Sequence, residues 1–243
     1  MNMRFKRSLK YIVFVLLVLV LGFLYGFSSA RNMNKIVENV VVEFESNGSN
    51  FLTHPMVNKL LIQNGIGVKN QAKSVINLYN LEKAICMNPY IENSSVFLGI
   101  NGTLKTVITQ RTPIARLINT DNSFYIDKKG VRVPLSDSYS ERVMLISGVK
   151  KDADVREILP LISFILDDKF LQKEVVGIEK FADKEYQISV RSGSYKIDFG
   201  KLTNMELKFK KLKAFYNTTF EDKTIHKYKN INVKYHNQVV CTK

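Results

Sequence analysis

Val96-Phe97-Leu98-Gly99-Ile100-Asn101-Gly102-Thr103-Leu104-Lys105-Thr106-Val107-Ile108 is the stretch whose reading decides the fold. Val96, Leu98 and Ile100 alternate up to Asn101-Gly102, and Leu104, Thr106 and Ile108 resume the alternation beyond it. A period of two is that of a strand with one buried face, and Asn-Gly between two such runs is the strongest short hairpin signal. Upstream, Val40, Val42 and Phe44 alternate with Val41, Glu43 and Glu45, which predicts an earlier strand. Thr53 can cap a helix that takes Pro55 in its first turn, lines Val57, Leu60 and Leu61 on one side and stops at Asn64-Gly65. Asn80 can cap a second helix carrying Leu81, Ile85 and Cys86. Asn88-Pro89 ends it, because the residue before proline is pushed away from helical angles. The order is β-α-α-β-β, closing near Thr109.

Downstream, Pro113 breaks the pattern and a new sheet begins. Asp127-Lys128-Lys129-Gly130 makes a turn between Phe124-Tyr125-Ile126 and Val131-Arg132-Val133. Val143 to Ile146 reads as a strand. Asp154 can cap a helix striped by Val155, Ile158, Leu159, Ile162, Ile165 and Leu166, kinked at Pro160. Strands come next around Val175 to Phe181, Glu185 to Arg191 and Tyr195 to Phe199, turning at Asp183-Lys184 and Ser192-Gly193. Thr203 with Glu206 forms a capping box for a helix with Met205, Phe209, Leu212 and Tyr216 inward and a solvated face of Lys208, Lys211 and Lys213. Ile231, Val233 and Tyr235 alternate with Asn232, Lys234 and His236 before Val239-Val240, predicting a terminal strand.

At the other end, Arg4, Lys6, Arg7 and Lys10 precede the uncharged run Tyr11 to Phe27. A helix over those 17 residues rises about 25 Å, enough to cross a bilayer core when flanking side chains snorkel. The basic residues stay cytoplasmic by the positive-inside rule, which places the rest outside. A cleaved signal peptide is the rival reading, since Ser28 and Ala30 form a small-x-small pattern, but the apolar run is longer than signal h-regions usually are. Either way the bulk of the chain is extracytoplasmic. The expected divisions are a tail over 1–10, a transmembrane helix over 11–27, a linker over 28–35, and domains over 36–110 and 111–243.

The chain carries 36 basic and 22 acidic residues for a net charge of +14, and setting aside the four basic residues of the tail leaves +10 outside. Across a membrane, the polyanions that such a surface meets are lipid headgroups and wall polymers, not nucleic acid. Cys86 and Cys241 are no disulfide framework, though two cysteines in an oxidising compartment can pair. Asn-x-Ser/Thr sites at Asn47, Asn93, Asn101 and Asn217 matter only in a eukaryotic secretory pathway. His54, His226 and His236 sit in separate segments, and no metal-ligand spacing occurs. Gly65-x-Gly67 comes after a helix, the wrong context for a phosphate loop, and Gly-x-Ser-x-Gly is absent. Asp127 reads as a turn-capping carboxylate. No catalytic residue, cofactor, metal or small-molecule substrate is expected.

A β-α-α-β-β unit outside a single anchor resembles a POTRA domain, and the chain beyond it resembles the bacterial cell-division family FtsQ/DivIB. The resembling residues are Asn88-Pro89-Tyr90-Ile91, Gln110-Arg111-Thr112-Pro113-Ile114-Ala115-Arg116, Phe124-Tyr125-Ile126-Asp127 with Gly130 and Val133-Pro134, and finally Ile231-Asn232-Val233-Lys234-Tyr235 with Asn237-Gln238-Val239-Val240. The short tail and the unmatched stretch from Ser147 to Gly200 depart from the family. The implied fold is α+β: one transmembrane helix, a POTRA domain, then a larger mixed antiparallel β domain with flanking helices.

The resemblance implies a non-enzymatic protein of the division septum, in the inner membrane with its domains periplasmic, that binds the FtsB/FtsL coiled-coil pair and other divisome proteins. A strand at a sheet edge exposes unpaired backbone groups to which a partner segment can add. Tyr228 to Val240 is the expected edge, with Tyr228, Ile231, Asn232, Val233, Lys234, Tyr235, Asn237 and Val239 as partner-binding residues and Asn232, Lys234 and Tyr235 nearest the partner. Arg111, Pro113 and Arg116 mark the domain junction, the arginines acting through local hydrogen bonds or as contact residues. POTRA units also accompany outer-membrane barrels, so a polypeptide-transport module is the alternative. It would need repeated units or a barrel of strands, and neither is visible.

Overall fold

The computed structural model describes residues 3–45, 50–63, 69–119 and 122–243. The helix stop at Asn64-Gly65, the Gly65-x-Gly67 pair and the Asn47 site lie outside them. Helix α1 runs over Met3–Met33, and its Lys10–Met33 portion is long and apolar enough to cross a membrane, with none of that window buried in the structure. The chain divides into two units: one holds the chain up to Gln110, apart from a short stretch ending at Phe51, which belongs with Arg111–Lys243 in the other.

In the first unit β1 (Asn39–Phe44), α2 (His54–Gln63), α3 (Leu78–Cys86), β2 (Ile91–Leu98) and β3 (Thr103–Gln110) succeed one another in that order. The sheet order is β1-β3-β2, with β1 parallel and β2 antiparallel to β3. Leu104 and Ile108 of β3 share one core with Leu81, Ile85, Val57 and Leu61 of the helices. Two details differ from the sequence reading. The cap of α3 is Asn77, not Asn80, and its side chain accepts from the Asn80 amide at 3.0 Å. Starting there brings Leu78 against the core as well. The hairpin loop spans Gly99 to Gly102, with the Gly99 amide bonded to the Thr103 carbonyl at 2.8 Å, so Ile100 is exposed in the loop instead of extending β2.

Among the described residues the second unit is a nine-stranded mixed sheet with three α-helices. Its strands are β4 (Pro113–Ile118), β5 (Ser123–Asp127), β6 (Arg132–Pro134), β7 (Met144–Ser147), β8 (Val175–Lys180), β9 (Tyr186–Val190), β10 (Lys196–Gly200), β11 (Asn230–Asn232) and β12 (Val240–Thr242). They lie in the order β12-β11-β10-β9-β8-β7-β4-β5-β6. One register row, Leu117, Ile146, Ile178, Ile188, Ile197 and Ile231, crosses six strands and is almost wholly buried. Helices α4 (Asp152–Asp167), α5 (Lys169–Glu174) and α6 (Met205–Glu221) contribute Ile158, Ile162, Leu171, Phe209 and Tyr216 to the same core. The adjacent register row, Arg116, Leu145, Gly177, Ser189, Lys196 and Asn230, has its side chains on the opposite face.

Several sequence expectations are corrected in this unit. A new sheet does begin at Pro113, but Pro113 is itself the first residue of β4, a strand between β5 and β7 that the sequence reading passes over; a first-position proline costs little because it only lacks a donor. Helix α4 starts two residues before Asp154, whose carboxylate instead accepts the Lys150 and Lys151 amides from the third helical position. It continues through Pro160 to Asp167. The capping box of Thr203 with Glu206 is absent: Asn204 stands at the cap in a left-handed conformation, φ 52°, without a side-chain bond. Asparagine tolerates that region.

Candidate partner-binding edge

The predicted terminal strand is instead a hairpin. Only Asn230–Asn232 form β11, which is parallel to β10 on one side and antiparallel to β12 on the other. Of the expected edge Tyr228 to Val240 only Val240 lies on it; the edge is Val240–Thr242, whose one neighbouring strand among the described residues is β11. The alternation misleads because it continues past the last paired residue into the loop.

Around this hairpin the singled-out residues separate into two groups. Ile231 and Val233 are fully buried, and the Val233 amide donates to the Asp198 carbonyl at 3.1 Å. Tyr228 packs its ring on Phe215, centroids 5.6 Å apart, and Val239 is partly buried against the same core. These four support the hairpin from beneath. Asn232 accepts the Lys234 amide at 2.9 Å, and Lys234 pairs with Glu185 at 3.0 Å. That carboxylate raises the lysine's pKa. Tyr235 is half exposed, and Asn237, bonded to His236, is exposed. Asn232, Lys234, Tyr235 and Asn237 thus flank the β11–β12 connection.

The sequence reading missed what fixes this connection. The lysines of α6 are not a solvated face. Lys211 donates to the carbonyls of Val233, at 3.1 Å, and of Tyr235. Lys208 is buried, donates to the Lys201 carbonyl at 2.6 Å and lies over the Phe199 ring at 4.9 Å; Lys213 pairs with Asp168. Burial lowers the pKa of Lys208 and of Lys211. No spacing rule marks which lysines of a basic helix reach backbone carbonyls. Cys241 and Thr242, the edge itself, were also missed, although Val239-Val240-Cys241-Thr242 has the β-branched content of a strand.

Of the junction residues, Arg111 pairs with Asp127 at 2.7 Å, both largely buried. The other Asp127 oxygen accepts the Lys129 and Val131 amides, closing the β5–β6 turn. Arg116 meets no carboxylate among the described residues and lies 5.8 Å from the Tyr125 ring centroid. Cys86 and Cys241 are free thiols. Among the described residues no three His, Cys, Asp or Glu side chains group as metal ligands.

A family model described as FtsQ/DivIB, C-terminal related matches residues 112–242, over half of the chain and nearly all of the second unit. No curated protein matches the chain.

Proposed function

The chain belongs to the FtsQ/DivIB, C-terminal related family, a non-enzymatic scaffold family of cell division, and on that premise we propose that it is a divisome assembly protein acting through its terminal sheet edge. Residues 36–110 serve as a POTRA domain and 111–243 as the partner-binding β domain. The protein sits in the plasma membrane as a single-pass protein at the septum, its tail cytoplasmic and its two units outside, as the basic residues before the apolar helix favour. It has no catalytic role and couples septum placement to wall synthesis by binding.

The observation that carries this reading is the position of β12. It ends the matched region and the sheet together, and among the described residues no strand lies on one of its sides. A segment of an FtsB/FtsL-type coiled-coil protein adds there as a further strand, backbone to backbone, while Lys234, Tyr235 and Asn237 supply side-chain contacts. Depletion of the protein tests the role in cells: filaments with unfinished septa are expected, and normal septation would refute it.

A further inference from the structure

At the end of the larger sheet where β4, β7 and β8 begin, an open cleft of about 710 Å³ is lined by the side chains of Arg116, Arg142 and Arg191. That volume lies within the usual range of ligand clefts, about 300–1,000 Å³. Its apolar lining includes Ile114, Val143, Leu145 and Val176, and Leu145 is 46% exposed.

The three guanidinium groups are free of carboxylates among the described residues, unlike Arg111, whose charge Asp127 meets. The nearby acids are otherwise engaged. Glu141, which lines the cleft, accepts from the Tyr139 hydroxyl at 2.7 Å. The Glu174 carboxylate accepts from Ser192, and the Arg191 backbone amide donates to the Glu174 backbone carbonyl. A second observation concerns Arg116 itself: its Nε is buried without a hydrogen-bond partner. Three guanidinium groups without a carboxylate partner over an apolar floor match carboxylates carried on a partly apolar segment. A purely polar phosphate polymer would leave the floor unused.

We propose that this cleft docks an acidic, partly apolar peptide segment of a partner protein, its carboxylates forked by Arg116, Arg142 and Arg191 and its apolar side chains on Ile114, Leu145 and Val176. The site is separate from β12 and does not depend on the edge reading.

The test uses the full chain in nanodiscs and a fluorescein-labelled decapeptide of alternating Glu and Leu, read by anisotropy. Arg191→Gln, at an exposed position, and Arg116→Gln each weaken binding about tenfold, with urea midpoints unchanged for Arg191→Gln. Arg142→Lys weakens it less than Arg142→Gln, since the charge stays and the fork is lost. Removing 240–243 leaves this affinity unchanged. Equal binding by Arg191→Gln and Arg116→Gln, at the affinity of the parent, overturns the proposal. So does tighter, arginine-dependent binding of poly(glycerol phosphate) than of the peptide, which would make the cleft a polyanion site.

Discussion

The ammonium of Lys211 donates to the backbone carbonyl of Val233 at 3.1 Å, and also to that of Tyr235, so helix α6 holds the chain as it leaves β11. The hairpin presenting the sheet edge is thus set by a helix side chain as well as by the strand ladder. Lys234 adds a second tie through Glu185. Lys211→Met should cost about 1 kcal/mol in urea unfolding and speed amide exchange at Val233 and Lys234. Lys211→Arg should lose less, and exchange rates unchanged in Lys211→Met would show that the tie is idle.

Asp154 sets an acid limit on the larger unit. The Lys180 ammonium, 2.7 Å away, and then the Lys151 backbone amide lower its pKa from 3.8 to about 2. A carboxyl depressed in the fold stabilises it fully above its unfolded pKa, and that stabilisation is lost as pH falls from about 4 towards 2. The loss is roughly 2 kcal/mol at most. Urea titrations between pH 5 and 2 should show Asp154→Asn with a shallower acid decline than the parent. Glu157 and Asp168, also lowered by lysine hydrogen bonds, titrate in the same direction in both proteins.

Asp127 does two jobs at 2% exposure, closing a turn and meeting Arg111. Asp127→Ala strands a largely buried guanidinium and should destabilise by about 3 kcal/mol, whereas Asp127→Asn keeps a turn acceptor and should cost less. Thermal melts of the two variants check the order.

Gly148 takes φ +77°, and a Cβ built there would lie 1.9 Å from the Lys180 carbonyl oxygen. Gly148→Ala should therefore destabilise by more than about 3 kcal/mol through both strain and backbone clash. Equal urea midpoints for parent and variant would contradict this packing.

Much of the fold is legible in the sequence because burial writes a period into the chain. Val96 to Leu98, Leu104 to Ile108 and most of Val175 to Phe199 read as strands, and they are, since each run alternates between a core row and an open face. Three misreadings have local causes. Pro113 rightly marks the new sheet, but the reading passes over β4 directly behind it, though Ala115 and Leu117 face inward there. Tyr235 continues the alternation of Ile231 and Val233 but lies beyond the last pair, because Val233 is held by Asp198 and Lys211 as the chain leaves the sheet. The lysines of α6 look solvated because the apolar side of a helix records which residues face inward, not which long side chains bend to a carbonyl. The expected edge lies within a few residues of the observed one. Which strand forms it depends on a hairpin with no turn signal as strong as Asn-Gly.

That hairpin also decides how the edge is best tested. Val233→Pro would delete an amide bonded inside the sheet at a wholly buried position, so its loss of binding would mix with unfolding. Residues 240–243 can be removed with less damage, since among the described residues β12 pairs with β11 alone.

The most direct measurement is the affinity of the nanodisc-held full chain for the extracytoplasmic FtsB/FtsL coiled-coil pair, compared with a chain lacking residues 240–243 whose urea midpoint is measured alongside. Binding by the full chain that falls at least about tenfold on truncation, with the fold intact, is the predicted result. Undiminished binding by the folded truncated chain, or no binding by the full chain, would contradict a division protein that works through this edge.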